Sequence, residues 1–263
     1  MILTVNVSNS SITLCAWDTE QLRFSASLQA NRARSADEYA VHFCSVLSLH
    51  HAAPEEIHGV IVSCVVPSLL ATVRRALTLL YSGRIYIVGP GLKTGVPIRM
   101  NDPAEIGSEI VCAAVAAKHE FGAPCLMICM DTAISITMLN EEGALVGGAV
   151  APGVRLGVEA LASRTAHLTE IDLEAPVPSV VGTTSYACMQ SGVILGTAAM
   201  LDGMIERFEE SIGRSLTCVA TGELAPAVLR HCRRSIAYRR ELVHSGLLLL
   251  WHKNAKPVSA PPR

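Results

Sequence analysis

The sequence predicts an α/β protein of two similar lobes, and two observations carry this prediction. Alternating apolar residues between polar turns predict a three-stranded meander over residues 2–28. The same succession of strands and turns returns over residues 125–151. A repeated unit of this kind indicates a duplicated fold, with a mixed sheet and flanking helices in each half. It argues against a Rossmann fold, which would alternate strand and helix from the outset.

The first half contains further elements after its meander, each predicted from apolar periodicity and local start signals. Pro67 stands where it would occupy the first turn of a helix, a position that proline tolerates well. In chain order the predicted elements are strands at 2–7, 11–17 and 22–28, a helix at 36–49, a strand ending near Cys64, a helix from Pro67, a strand at 84–89 and a helix from about Pro103 to His119.

The second half begins with the repeated meander and continues with fewer clear signals. After the meander, the sequence predicts a long helix at 183–211, a strand at 216–221 and a helix at 240–253. We therefore predict an N-terminal lobe at 1–118 and a C-terminal lobe at 119–254. The proline-containing end, residues 255–263, is predicted to be a flexible tail.

Composition limits the classes of partner. The chain has 263 residues, 50% of them apolar, which is ample for a sizeable core. Lys and Arg number 21 against 23 Asp and Glu, a net charge of −2, and no basic block is present. This balance favours neither nucleic acid nor an anionic membrane surface. Small molecules and other protein chains are the expected partners.

The N-terminus and the cysteines predict a cytoplasmic protein. The opening MILTVNV has no basic region before it and turns polar too early for a signal peptide. The apolar stretch 122–139 is interrupted by Asp131, so no membrane span is expected there. The nine cysteines form no CxxC pair and lie mostly among apolar neighbours, which is typical of reduced, buried thiols.

Each meander has a polar turn between its first two strands. Amides and hydroxyls of such turns can hydrogen-bond phosphate oxygens, and a carboxylate on the adjoining strand can hold a metal ion. We therefore predict a nucleotide cleft between residues 6–13 and 129–135. Two ordinary β-hairpins rich in Ser and Thr are the alternative that spacing alone leaves open.

Longer motifs give the chain a more specific resemblance. They run almost end to end: DEYA (37–40), GVIVSCVVP (59–67), GPGLKTGVPIR (89–99), NDPAEIG (101–107), GGAVAPG (147–153), CMQSG (188–192), ATGELA (220–225) and LVHSGLLLLWHKN (242–254). With these motifs the chain resembles type III pantothenate kinases, members of the acetate kinase, sugar kinase, Hsp70 and actin superfamily.

The resemblance implies both a fold and a reaction. The implied fold has two ribonuclease H-like (actin-like ATPase) lobes. The implied reaction is the ATP-dependent phosphorylation of pantothenate, the first step of coenzyme A synthesis. Mg²⁺, a monovalent cation (K⁺ or NH₄⁺) and a homodimer come with it.

The first phosphate turn departs from the family pattern D-x-G-N-T, because the chain has Asn6-Val7-Ser8-Asn9-Ser10. By resemblance Asn6, Ser8, Asn9 and Ser10 are the ATP-loop residues. An Asn cannot supply the anionic ligand that holds Mg²⁺ near the transferring phosphate. Ser8 replaces a glycine that we expect to need a positive φ, at a cost of about 1 kcal/mol.

The second turn, D-x-G-T in the family, is Cys129-Met130-Asp131-Thr132 here. The resemblance places Cys129 at the monovalent-cation position, although a core thiol is the simpler interpretation. Thr132 keeps the ATP-loop hydroxyl. Asp131 stands where a glycine admits phosphate and should repel ATP unless it serves as a substitute metal ligand. Alternatively, Asp131 preserves the turn, since Asp tolerates the left-handed conformation.

The substrate motif G-A-D-R aligns with Gly107-Ser108-Glu109-Ile110. Glu109 then takes the place of the general base, displaced by one methylene, and a shift near 1 Å can cost about 10²-fold in rate. Ile110 replaces an arginine that could align an anion. The alternative is that Glu109, near a helix start, complements the helix dipole.

Two further substrate positions follow from the same resemblance. Met100 stands where the family commonly has a substrate-contacting tyrosine, and Ser185 keeps the hydroxyl of a substrate-contacting threonine. Two functions stay open at this point. The chain is either a working kinase in which Asp131 and Glu109 replace the lost aspartates, or a binding or regulatory protein that has lost phosphotransfer. Three altered motifs favour the second, because independent losses of transition-state stabilisation multiply.

Overall fold

A computed structural model describes residues 1–255 of the protein, apart from the side chain of Ala104. The chain divides into two compact units. Unit 1 comprises Met1–Val96, Ala104–Ala116 and the described residues from Val243 onwards. Unit 2 comprises Pro97–Pro103 and Ala117–Leu242. The predicted tail lies outside the described residues from position 256 onwards.

The described residues form ten strands and eight α-helices. The strands are β1 Ile2–Val7, β2 Ser11–Asp18, β3 Gln21–Gln29, β4 Gly59–Cys64, β5 Ile85–Ile87, β6 Cys125–Met130, β7 Ala133–Leu139, β8 Leu145–Pro152, β9 Thr217–Thr221 and β10 Ala237–Tyr238. The helices are α1 Ala36–Leu49, α2 Pro67–Leu80, α3 Ser108–Phe121, α4 Val154–Arg164, α5 Ser185–Gln190, α6 Gly196–Ile212, α7 Ala225–Leu229 and α8 Leu242–Asn254.

Both units contain a five-stranded mixed sheet of the same topology. The order is β3-β2-β1-β4-β5 in unit 1 and, read in the equivalent direction, β8-β7-β6-β9-β10 in unit 2. In each sheet the first three strands form an antiparallel meander, and the other two run parallel to the first strand. The predicted duplication and both meanders are therefore confirmed.

The equivalent strands place two polar turns at matching ends. Asn6, near the end of β1, pairs with Thr13 of β2 and with Ser63 of β4. Cys129, near the end of β6, pairs with Ser135 of β7 and Thr221 of β9. Each turn thus lies at the carboxyl end of a strand that is central in its own sheet.

Buried apolar side chains fill the space between each sheet and its helices. In unit 1, Tyr39 and Phe43 of α1 are fully buried against strand residues such as Leu3. In unit 2, Ile128 of β6 and Leu201 of α6 are fully buried in the corresponding core. Burying a side chain of this size stabilises a fold by about 1.5–3 kcal/mol, so the two cores hold the strand ends in place.

Several predicted boundaries are corrected by the structure. The helix predicted from about Pro103 begins at Ser108, and Pro103–Glu105 forms a separate 3₁₀ turn. The reason is local: the carbonyl of Gly107 accepts the first helical hydrogen bond, from the Ile110 amide at 3.0 Å. The short elements α4, α7 and β10 were not predicted.

The last helix and the long helix of unit 2 also differ from their predictions. Residues of α8 from Val243 onwards belong to unit 1, where Leu247 and Leu250 pack in a cluster with Ile61. The predicted lobes, 1–118 and 119–254, instead assign this helix to the C-terminal lobe. The helix predicted at 183–211 forms as α5 and α6, joined by a π-helical turn at Ser191–Leu195. By length and composition the helical run Ser185–Ile212 could cross a membrane, a test that core helices of soluble proteins also pass.

Candidate functional site

The first polar turn joins β1 to β2 and is closed by Ser8 and Ser11. The Ser8 amide donates to the carbonyl of Ser11 at 2.9 Å, and the Ser11 amide donates to Ser8 Oγ at 3.3 Å. The hydroxyls of the two serines lie 3.2 Å apart. Asn9 and Ser10 form the exposed tip of the turn. The turn is thus held by its own hydrogen bonds and presents its tip to solvent.

The expectation that Ser8 needs a positive φ is wrong. Among the described non-glycine residues only Thr19, with φ of 60°, and His51, with φ of 53°, adopt positive values. The Ser8 side chain is 3% exposed and lies inside the turn. No left-handed strain arises at Ser8, because its hydroxyl forms the hydrogen bonds that close the turn around an ordinary backbone conformation.

Asn6 presents an unusual acceptor at the end of β1. Its Oδ1 atom is buried and has no hydrogen-bond partner in the part of the chain that the structure describes. A buried acceptor without a partner costs about 1–3 kcal/mol, so such atoms often mark the position of a water, an ion or a ligand. Asn6 is also the residue that stands at the family's metal-associated position by resemblance.

The start of α3 is tied to the same edge of the unit 1 sheet. Ser108 Oγ accepts a hydrogen bond from the Cys64 amide at 3.0 Å and lies 2.8 Å from Ser63 Oγ. Ser63 is the register partner of Asn6. The structure therefore brings two predicted regions, the first phosphate turn and the substrate motif, to the carboxyl ends of neighbouring parallel strands.

Glu109 and Ile110 follow in the first turn of α3. Both are half-buried, and Gly107 immediately precedes the helix. A carboxylate in the first turn complements the helix dipole, as the alternative interpretation of Glu109 proposed. Glu109 directly follows Ser108 in the chain, so a structural and a catalytic role are compatible at this position.

The second polar turn joins β6 to β7 in unit 2. The Asp131 amide donates to the carbonyl of Ala133 at 3.0 Å, and the carbonyl of Thr132 accepts from the Gly153 amide at 3.0 Å. Asp131 and Thr132 are exposed. Asp131 has no positive φ, so the left-handed explanation for its presence is wrong. An exposed carboxylate stands at the tip where the family has a glycine by resemblance.

Two glycines lie in close contact with the backbone of this second turn. A Cβ atom on Gly153 would lie 2.3 Å from the carbonyl oxygens of Asp131 and Thr132, and one on Gly222 would lie 2.0 Å from the carbonyl oxygen of Met130. Gly222 also has a φ of 118°. The sequence does not reveal these contacts, because they depend on the close approach of backbone segments that are distant along the chain.

Met100 and Ser185 occupy separate segments of unit 2. The segment before Met100 is pinned to β8 by two hydrogen bonds of 2.8 Å, from the Arg99 amide to Leu145 and from the Leu145 amide to Pro97. The Arg99 side chain forms an ion pair with Glu142. Ser185 is exposed at the first position of α5 and follows the N-cap residue Thr184.

The resemblance implies Mg²⁺ and a monovalent cation, and the residues present suit the first better than the second. The orphaned Oδ1 of Asn6 is a neutral oxygen that suits a water molecule of a hydrated magnesium ion. Cys129 is 8% exposed, and a buried thiol does not suit K⁺ or NH₄⁺, which prefer oxygen ligands. In residues 1–255 no group of three His, Cys, Asp or Glu side chains is placed to hold a metal ion.

The duplicated sheets and their polar turns define a class of protein. They form two ribonuclease H-like lobes of the actin-like type, the fold of many sugar kinases and related ATPases. The structure is similar to that of the inorganic polyphosphate/ATP-glucomannokinase from Arthrobacter sp., with a TM-score of 0.51 at 14% identity over 96% of this chain and 99% of that chain. The predicted fold class is confirmed.

Within that class, the chain belongs to the type III pantothenate kinase family. The family profile matches residues 2–207. A type III pantothenate kinase of Rubrobacter xylanophilus is 34% identical over 260 residues, which cover 97% of this chain and 98% of that protein. One from Brevibacillus brevis is 33% identical over 254 residues, covering 97% and 99%. The resemblance stated from motifs is confirmed.

Proposed function

We propose that this protein binds ATP and pantothenate, transfers phosphate much more slowly than a family member with intact motifs, and serves as a binding or regulatory protein. The single observation that carries the proposal is the neutral, buried Oδ1 of Asn6, which has no hydrogen-bond partner among residues 1–255. The relatives named type III pantothenate kinase suggest the two small molecules.

Retained binding is supported by the shape of the two turns. The first turn keeps its hairpin geometry through Ser8 and Ser11, and its tip at Asn9 and Ser10 is exposed. The second turn is fixed by Gly153. Backbone amides in fixed turns bind phosphate without any need for a charged side chain. Nucleotide affinity can therefore survive the loss of acidic residues.

Reduced phosphotransfer is supported by the chemistry of positions 6, 109 and 110. Mg²⁺ bound to ATP neutralises charge that develops on the transferring phosphoryl group. Asn6 would hold the hydrated ion only through a neutral oxygen, which binds it more weakly than a carboxylate. Glu109 is one methylene longer than the family base, and Ile110 offers no cation. Each change removes transition-state stabilisation, and the losses multiply.

A second candidate is an active pantothenate kinase with rearranged residues. In this alternative Glu109 acts as the general base and Asp131 serves as a substitute metal ligand. The favouring observations are that Glu109 remains on a helix start anchored through Ser108, and that Asp131 keeps an exposed carboxylate in a well-defined turn. In this alternative Asp131 supplies the anionic metal ligand that Asn6 does not.

Calorimetry combined with a turnover assay separates the two candidates. ATP with Mg²⁺ and pantothenate are titrated separately and together into the purified protein, and phosphopantothenate formation is then followed under the same conditions. The proposal expects heats of binding for both ligands and turnover well below about 1 s⁻¹, the lower end of ordinary enzyme rates. Turnover at or above that rate favours the rearranged kinase, and absent binding of both ligands contradicts both candidates.

The homodimer and the cytoplasmic location are further parts of the proposal. Val180 and Val181 of unit 2 are each 72% exposed in the single chain, a state that favours burial against a partner. The apolar residues Ile194, Leu201 and Ile205 of segment 192–208 are buried in the core of unit 2, so this face of the helix is not available to a partner. Light scattering that reports twice the mass of the chain supports the dimer, and a monomer across micromolar concentrations contradicts it.

A further inference from the structure

A cavity in unit 1 is lined by residues that take no part in the proposed phosphotransfer chemistry. Its volume is about 570 Å³, within the range of small-molecule sites. Its walls come from α2, from the chain entering and forming the edge strand β5, and from the turn that follows β5. The residues that matter for its chemistry are Arg74, Thr78, Arg84, Tyr86, Pro90 and Leu92.

The cavity has a clear excess of positive charge. Arg74 and Arg84 contribute two guanidinium groups, and no carboxylate lines the cavity. Within residues 1–255, neither guanidinium forms an ion pair or a hydrogen bond, although the chain as a whole has a net charge of −2. Two arginines on one concave surface, with no ion-pair or hydrogen-bond partner for either guanidinium among the described residues, are available to an anionic ligand.

The walls hold these groups in a defined arrangement. The guanidinium carbon of Arg84 lies over the Tyr86 ring, 4.8 Å from its centre, which is a cation–π contact. Arg74 and Thr78 are one helical turn apart on the same face of α2. The following turn is closed by the Leu92 amide, which donates to Gly89 at 3.2 Å.

We propose that this cavity is a second ligand site, which binds an organic phosphate by its phosphoryl group. The two guanidinium groups match the charge of a phosphate dianion, and each can bind two of its oxygens in a fork. The apolar side chains of Pro90 and Leu92 offer a surface for the organic part. The inference goes beyond the proposed function, because none of the phosphate-turn or substrate residues lines this cavity.

Phenyl phosphate is a suitable probe, because it joins a phosphoryl dianion to an apolar group of limited size. Its binding is measured by calorimetry on the full chain without nucleotide, because ATP is itself an organic phosphate and would compete for the cavity. Arg74→Gln and Arg84→Gln remove one guanidinium each, and both side chains are exposed, so the fold is expected to persist. Arg75→Gln is the matched control, since Arg75 is exposed on α2 but does not line the cavity.

The expected result is a weakening of phenyl phosphate binding by about tenfold or more in each cavity variant, the size of effect that one charge-assisted hydrogen-bonded group produces. Arg75→Gln should bind as the wild type does, and Arg84→Lys should fall between wild type and Arg84→Gln. The proposal is overturned if wild type shows no binding up to about 10 mM. It is equally overturned if the cavity variants bind normally, or if Arg75→Gln weakens binding as much as they do.

Discussion

The hydroxyl of Ser108 at the start of α3 accepts a hydrogen bond from the amide of Cys64 at the end of β4, at 3.0 Å. Through this contact the helix that carries Glu109 is anchored to the strand beside Asn6. The anchoring is a property of unit 1 alone and relates two of the motifs that depart from the family pattern.

Removal of this hydroxyl should destabilise unit 1. We expect Ser108→Ala to lower the free energy of unfolding by about 1–3 kcal/mol, because the part-buried Cys64 amide loses its acceptor. Urea unfolding measures the change. Ser45→Ala is the control, since its hydroxyl lies on an exposed face of α1 and should change stability by less than about 0.5 kcal/mol. Equal effects of the two variants would show that the Ser108 contact is not a specific anchor.

The close approach of Gly222 to the second turn should be sensitive to a single methyl group. Gly222→Ala places a Cβ atom 2.0 Å from the Met130 carbonyl oxygen, in addition to the strain at φ of 118°. Gly213→Ala is a matched control with φ of 69° and open space around its Cβ position. We expect about 1 kcal/mol of destabilisation for Gly213→Ala and at least about 2 kcal/mol for Gly222→Ala. A Gly222 variant no less stable than the Gly213 variant contradicts the packing argument.

Much of the fold could be predicted because period-two alternation in the meanders is strong and occurs twice. The first turn shows where this reasoning fails. The expected strain at Ser8 came from the family's glycine, but the serine hydroxyl itself closes the turn around an ordinary φ. The contacts of Gly222 and Ser108 join residues far apart in the chain, and no local pattern reveals them. Likewise, nothing in the apolar run LVHSGLLLLW indicates that its histidine is buried between two hydroxyl groups.

That histidine, His244, is buried in unit 1 between two threonines. Its Nδ1 lies 2.8 Å from Thr4 Oγ1 and its Nε2 lies 2.7 Å from Thr13 Oγ1. Burial lowers the pKa of His244 from 6.5 to about 4. Between pH 6.5 and pH 4 this histidine is protonated in the unfolded chain but stays neutral in the folded chain. The difference favours the unfolded state, so the contribution of His244 to the free energy of unfolding is fully present above pH 6.5 and is lost as the pH falls towards 4.

We expect the titration of this histidine to lower the free energy of unfolding of the wild type by about 2 kcal/mol when the pH falls from 7.5 to 5. His244→Gln keeps hydrogen-bonding groups but does not titrate, so its stability should fall less over the same interval. Urea unfolding of both proteins at the two pH values isolates this contribution from that of the carboxylates. Parallel losses in the two proteins would mean that His244 titrates normally.

Asp131 distinguishes the two candidate functions through its charge. If its carboxylate repels phosphate, Asp131→Gly should strengthen ATP binding by roughly three- to tenfold, with Mg²⁺ or without it. Asp131→Glu keeps the charge and is expected to bind as wild type does. Calorimetry measures both. Weaker ATP binding by Asp131→Gly in Mg²⁺ but not in EDTA would identify Asp131 as a metal ligand and favour the rearranged kinase.

We propose that a small set of local replacements has weakened phosphotransfer. The rate of ATP-dependent pantothenate phosphorylation by wild type is compared with that of a variant in which all six positions match the family pattern: Asn6→Asp, Ser8→Gly, Glu109→Asp, Ile110→Arg, Cys129→Asp and Asp131→Gly. Single replacements should do little, because groups that act as one catalytic unit are not additive.

We predict a wild-type rate near background and an increase of at least about 10²-fold in the sixfold variant. Circular dichroism and ATP calorimetry on the variant verify that it folds and binds nucleotide. A wild-type rate on the order of 1 s⁻¹ or more would contradict the claim that activity is weakened. A folded, ATP-binding sixfold variant that remains inactive would contradict the claim that these six positions are the cause.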